Sequence, residues 1–373
     1  MSHSARILQF PCRSGESWLS PREAAIRAAE FLSLYPENWS DASRESTFCS
    51  PDILLAICTQ LRRKRDMDPA MVEGAAREIY QWISRPSFDL GLFDERDYFL
   101  GETALLAGGA CRQLGKREEA FLWLDRAEAG FRHTMNPAPG LANVAYTRLA
   151  LRFEMGRYQD VRELAPSLEA SFRKLRMSSE AVKCRLLLGM TLKQMGEISA
   201  AAAELQEVRY QAATESDPFL HARLLTEIGD LRQLEGDLGS ALEVFQEALS
   251  LLQVEEVSLA RADLKLYVGG VYKSLDKLDA AKEAYRAAQR DYATLGMRHL
   301  VAYSHLVIAE VLLELDRQRE AEWEIRAALP AIDEMKMIPE ALAAVALLRE
   351  SVARKDTNLL ALRDLRARLE SAG

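Results

Sequence analysis

The chain has 373 residues, 49% hydrophobic and 28% charged, with only 19 glycines and 12 prolines, which excludes global disorder and favours an all-helical core. A net charge of −8 and a pI near 5.4 exclude the concentrated basic face that a nucleic-acid partner needs. Five scattered cysteines, Cys12, Cys49, Cys58, Cys111 and Cys184, form no CxxC pair and no zinc spacing, so buried or incidental thiols in a reducing compartment are expected.

Taken in chain order, Met1 to Trp18 lacks the apolar stretch of a signal peptide, and nothing further on is apolar for long enough to span a bilayer. A cytoplasmic protein with no membrane partner is expected, with Met1 to Ser17 mobile. Ser20-Pro21-Arg22-Glu23 is a capping box with proline at the first helical position, and Ala24, Ala28, Phe31, Leu32 and Tyr35 line one side of the helix it opens. Ser50-Pro51 starts a second helix to Arg63, with Ile53, Leu54 and Ile57 on its apolar face. It ends on Arg62-Arg63-Lys64-Arg65, read as a solvated helix end whose cations suit the C-terminal dipole. Asp68-Pro69 opens a third helix, with Ala75, Ile79 and Trp82. Residues 1–95 are thus expected to form an N-terminal helical region, acting either as a degenerate capping repeat or as an effector module.

From about residue 96 a repeat takes over. A turn residue, a small residue five positions on, a large one after four more and a further apolar, usually small, one after three recur six times. The copies begin Gly115-Ala120-Leu124-Ala127, Gly156-Val161-Ala165-Leu168 and Gly196-Ala201-Leu205-Val208. They continue as Gly236-Ala241-Phe245-Ala248, Asp276-Ala281-Tyr285-Ala288 and Asp316-Ala321-Ile325-Ala328, about 40 residues apart throughout. A second small residue precedes the turn by seven positions in five copies, as Gly108, Gly189, Gly229, Gly269 and Ala309, with Leu149 the exception. In the fourth copy, Ala222 to Leu234 reads as helix A and Leu238 to Leu252 as helix B, broken by Gly236-Asp237. Neither helix buries its apolar face alone, so stacked neighbours must supply the other side.

These residues resemble the tetratricopeptide repeat over roughly residues 101 to 335, in a long variant, since the family period is about 34. The resemblance implies an all-α, right-handed α-solenoid over residues 96–373, with about six repeats and a capping helix pair at the C-terminus. In that pair Pro339 opens a helix to Arg354, and Thr357 to Leu369 presents Arg363, Asp364, Arg366, Arg368 and Glu370 as a polar exterior. Arg148 and Arg152 depart from the pattern by occupying apolar helix-A positions, where snorkelling stems, a structural ion pair or anion binding are the readings open to them.

The resemblance also implies a concave groove lined by helix A. Its first row is Leu105, Tyr146, Leu186, Thr226, Leu266 and Leu306. Its second holds Gly109, Met190, Asp230, Gly270 and Glu310, with Phe153 and Lys193 one turn further. An apolar groove of this kind suits an amphipathic helix or an extended apolar peptide. Gly109 and Gly270, each the second of a glycine pair, leave room there for a ligand backbone. No phosphate loop, HExxH or GxSxG occurs, and His299 and His305 are too far apart in sequence to suggest a metal pair. The expectation is a non-enzymatic scaffold or adaptor with no cofactor and no metal, binding a protein or peptide, with its oligomeric state open. The alternative is a signal-responsive regulator whose repeats sense a peptide or small ligand and control a partner such as a transcriptional regulator.

Overall fold

A computed structural model describes residues 19–34, 50–65, 68–85, 93–214, 217–252, 258–334, 362–363 and 366–367, and all regular structure among them is helical. The first eight helices are α1 (Pro21–Ser33), α2 (Pro51–Lys64), α3 (Pro69–Ser84), α4 (Phe93–Gln113), α5 (Arg117–Arg132), α6 (Ala138–Glu154), α7 (Tyr158–Lys174) and α8 (Ser178–Gln194). The remaining seven are α9 (Ile198–Thr214), α10 (Pro218–Leu234), α11 (Leu238–Leu252), α12 (Leu259–Ser274), α13 (Leu278–Thr294), α14 (Arg298–Glu314) and α15 (Gln318–Glu334). Met1–Ser17 and the expected helix from Pro339 to Arg354 lie outside the described residues.

The polar residues singled out in the sequence do start the early helices. Ser20 accepts the Glu23 amide while the Glu23 carboxylate accepts the Ser20 amide, and the side chains of Ser50 and Asp68 cap α2 and α3 by accepting the Ile53 and Met71 amides. In α10 the start lies four residues earlier than Ala222, because Asp217 caps the helix and Pro218 fits its first turn.

The chain divides into two units, Met1–Glu197 and Ile198–Gly373. Each is built from helix pairs joined by tight turns. In the first, each helix from α2 to α7 packs on the next. Phe31, Ile57, Ile79, Phe99, Leu124, Phe131 and Leu151 meet in one core, so α1–α3 share their interior with the first repeats. In the second, α9 to α15 pack in sequence, and Tyr285, Leu306, Ile308, Leu312, Ile325 and Leu362 share one core.

The repeat's turn residue has a specific backbone task. Gly115, Gly156, Gly196 and Gly236 have φ between 72° and 82°, and Asp276 and Asp316 adopt 57° and 59°. This left-handed residue ends helix A, and the amide after it bonds back to the helix, as Lys116 does to the Cys111 carbonyl at 2.9 Å. Aspartate tolerates the conformation through its short polar side chain. Arg176, between α7 and α8, adopts φ 58° without that help. Arg176→Gly is therefore expected to raise stability by about 1 kcal/mol in urea denaturation, and an unchanged or lower midpoint would show that the turn carries no strain.

The small residue of helix A faces the large residue of helix B, and at Gly108 the small one as well, since a Cβ there would also lie 3.4 Å from the Ala120 carbonyl oxygen. A Cβ at Gly229 would lie 2.6 Å from the Phe245 ring, one at Gly269 would lie 2.5 Å from Tyr285, and one at Gly108 would lie 3.2 Å from Leu124. The glycine opens a socket for the ring on the facing helix, and both fill the space at interior density.

Ion pairs step from one repeat to the next within each unit. Arg112 of α4 pairs with Glu154 of α6, and Arg162 reaches Glu197 at 2.6 Å. In the second unit Arg209 meets Glu247 at 2.6 Å and Lys273 pairs with Glu310.

Candidate functional site

The expected groove residues fall into three groups. Leu186 is 3% exposed and Leu306 is fully buried in the core of the second unit. Neither offers surface to a ligand, because the helix-A row also packs one repeat on the next. This corrects their assignment to the groove.

The second group is covered by the chain itself. A Cβ on Gly109 would lie 3.3 Å from the Arg65 side chain, so the stem of Arg65 fills the space expected to admit a ligand backbone. Arg62 of the same basic run pairs with the buried carboxylate of Glu102 on α4, although Arg62, Arg63 and Lys64 are exposed as expected of a helix end. Glu310 is 1% exposed and is held by Lys273, by Arg366 and by Arg363 at 2.8 Å. Arg363 and Arg366 thus reach inward to a buried acid, although the Arg363 side chain also keeps 46% of its surface exposed, as a polar exterior requires. The reason is electrostatic, since a carboxylate this deep persists as an anion only when cations and hydrogen bonds compensate its lost hydration.

The third group keeps partial exposure. Leu105, Tyr146, Phe153, Met190 and Lys193 in the first unit, and Thr226, Asp230, Leu266 and Gly270 in the second, are half-buried. Tyr146 packs against the cluster of Ala142, Phe172, Ala181 and Cys184, and the Phe153 ring lies 5.5 Å from that of Tyr158. Leu266 rests on the core formed by Ala262, Ala288 and Tyr292. Thr226 returns its hydroxyl to the Ala222 carbonyl at 2.8 Å.

Arg148, the cation at an apolar repeat position, bonds Asp125 at 2.6 Å and Glu128 at 2.5 Å on α5. Of its three readings the ion pair is the one observed. Arg152 lies 3.6 Å from Asp160. His305 bonds Glu324 through Nδ1 at 2.5 Å, while His299 is exposed. Burial pushes the thiols of Cys58 and Cys184 up to about 12, so both behave as core atoms. Ligand-type atoms of Glu73, Cys111 and Glu119 lie within 4.8 Å of one another. Two cations already serve them: Lys116 bonds Glu73 at 2.7 Å, and Arg77 bonds both Glu73 at 2.6 Å and Glu119.

No protein-family model matches the chain, and no curated protein matches its sequence. Solved structures do match. A Rap protein complexed with competence and sporulation factor aligns over 94% of this chain and all of its own, with TM-score 0.55 and 14% identity. Aspartyl phosphate phosphatase F from Bacillus subtilis aligns over 95% of both chains, with TM-score 0.53 and 12% identity. A signal transduction ATPase with a tetratricopeptide repeat sensor from Pyrococcus horikoshii covers 96% of this chain with 54% of its own, at TM-score 0.58 and 13% identity. The fold is tetratricopeptide-like. Identities this low establish the shared architecture and no shared chemistry. In this tetratricopeptide-like chain, among the described residues, no helix is long and apolar enough to cross a membrane.

Proposed function

We propose that the chain is a non-enzymatic scaffold that binds a polypeptide segment along the helix-A side of α6 and α8. One observation carries this reading. Tyr146, Phe153, Met190 and Lys193 remain half-buried on two consecutive A helices, whereas Leu186, Leu306, Gly109 and Glu310 are closed by the protein itself. An aromatic, a thioether and a cation presented together suit an apolar peptide with a polar end, and methionine adapts to varied side chains. The N-terminal helices α1–α3 then serve as the cap that closes the first unit's core.

The sensor reading is the second possibility. Its support is the likeness to the Rap protein complexed with competence and sporulation factor, which extends over 94% of this chain. Both readings place a peptide on the helix-A side. They differ in whether binding changes the state of a partner.

The test starts from a peptide selected on the immobilised full chain from a random 12-residue display library. Tyr146→Ala combined with Met190→Ala should weaken its affinity at least about tenfold, as expected for anchor residues. Glu243→Ala, exposed on α11, should change little. Unchanged affinity in the double variant would remove this site. So would a loss of thermal stability as large as that of Phe245→Ala, because the side chains would then be core.

A further inference from the structure

A second surface site lies on the B-helix side of the first unit, away from the row just described. A cavity of about 460 Å³ opens between α3 and α5, lined by Arg77, Tyr80, Gln81, Ser84, Trp123 and Arg126. Its floor is aromatic: the Tyr80 and Trp123 rings meet edge to face, with centroids 5.2 Å apart and planes at 85°. Both arginines lie against this floor. The Arg126 guanidinium carbon is 4.5 Å from the Trp123 centroid and 6.0 Å from that of Tyr80, and that of Arg77 is 5.5 Å from Trp123.

The two cations differ in what they have left to give. Arg77 is engaged by Glu73 and Glu119, yet its Nε is buried without a hydrogen-bond partner. Arg126 is exposed and forms no ion pair among the described residues. Stacking on an aromatic face fixes the plane of a guanidinium and leaves its edge donors free, the arrangement that recognises a carboxylate with two parallel hydrogen bonds. Gln81 adds an exposed amide at the rim. The Ser84 hydroxyl already donates to the Tyr80 carbonyl at 2.7 Å, so it serves as an acceptor.

An apolar neighbour completes the picture. Leu122, one helical turn before Arg126 on the same face of α5, is 60% exposed. A free anion gains nothing from a leucine, whereas a polypeptide gains by laying an apolar side chain on it while an acidic one enters the cavity. We propose that this Arg126–Trp123–Arg77 pocket seats an aspartate or glutamate side chain of a protein partner, with an adjoining apolar residue of that partner on Leu122. The site is independent of the peptide-binding reading of the helix-A side.

The experiment follows the indole signals of the full-length protein by nitrogen–proton NMR, with Trp123 assigned through Trp123→Phe. The probes are acetyl-Leu-Glu-Glu-Leu-amide, its glutamine counterpart, and inorganic phosphate at equal ionic strength. The glutamate peptide should shift the Trp123 signal saturably, with at least about tenfold weaker affinity for the glutamine peptide and for Arg126→Gln, as loss of a charge-assisted bidentate contact implies. Arg126→Lys, which keeps the charge but not the planar fork, should fall between the two. Arg126 is exposed, so an unchanged melting temperature checks that these variants fold. Equal binding of both peptides would overturn the proposal, as would a silent Trp123 signal or indifference to Arg126→Gln. Phosphate binding as tight as the glutamate peptide's would overturn it too, by making the pocket a general anion site.

Discussion

Gly130→Ala is expected to lower stability by about 3 kcal/mol, the upper end of the usual range for overpacking. On helix propensity alone the change would stabilise by about 1 kcal/mol. Steric contact reverses the sign: a Cβ at Gly130 would lie 2.7 Å from the backbone nitrogen of Gly101 and 2.9 Å from the Asp97 carbonyl oxygen. These are atoms of α4, and no rotamer change moves them. The two helices must separate, which also loosens Phe131, the ring that fills the space left at Gly101 and Gly140. Gly270→Ala supplies the contrast. Its Cβ would meet only the Tyr285 hydroxyl at 3.7 Å, an ordinary contact, so propensity should win and the variant should gain up to about 1 kcal/mol. Urea denaturation of both variants decides the matter, and midpoints moving in the same direction would refute the close approach of α4 and α5.

Glu310→Ala is expected to cost about 2–3 kcal/mol, less than for a fully buried pair because the Arg363 side chain, 46% exposed, can rehydrate. The acid's own ionisation gives a sharper readout. Burial pushes the Glu310 carboxyl up, but the hydrogen bonds from Lys273 and Arg363 and the charges of Arg366 and Lys273 together outweigh it, so its pKa lies below the ordinary 4.5. A carboxylate with a depressed folded-state pKa contributes stability that is complete above the unfolded-state value and is lost as pH falls through the folded-state value. The stability gap between the native protein and Glu310→Gln should therefore be constant near neutral pH and begin to narrow below about pH 4.5, closing as Glu310 itself protonates. Urea midpoints along a pH series measure it. A gap that is unchanged on acidification, or that widens, would show that Glu310 is not held as an anion by Lys273, Arg363 and Arg366.

These variants test contacts that the repeat pattern left open. The turn glycines and aspartates, the helix-A glycines and the capping residues were legible because each obeys a local rule. A left-handed turn favours Gly or Asp, a helix start favours Ser or Asp, and an apolar face recurs every turn. Ser20, Gly115 and Asp276 can be found without knowing what they touch. The sequence placed Tyr146 and Met190 only as positions in the expected rows, and the same rows put the buried Leu186 and Leu306 beside them. A helical period of 3.6 residues specifies a face, and on a stacked repeat one face serves both the neighbouring helix and solvent.

By itself, the sequence determined that this protein is all-α, where its helices turn, and that its helices come in pairs repeated about every 40 residues. Those properties depend on residues within one repeat of each other, and period and turn chemistry encode them directly. Tertiary structure alone decided which charges are compensated and which glycines are indispensable. Arg65 covering Gly109, Arg363 and Arg366 reaching Glu310 across some fifty residues, and Arg77 meeting Arg126 over Trp123 have no fixed spacing in the chain. The physical reason is reach: an arginine stem extends over several residues of neighbouring surface, so its partner is chosen by packing between helices and by the cost of leaving a buried charge alone.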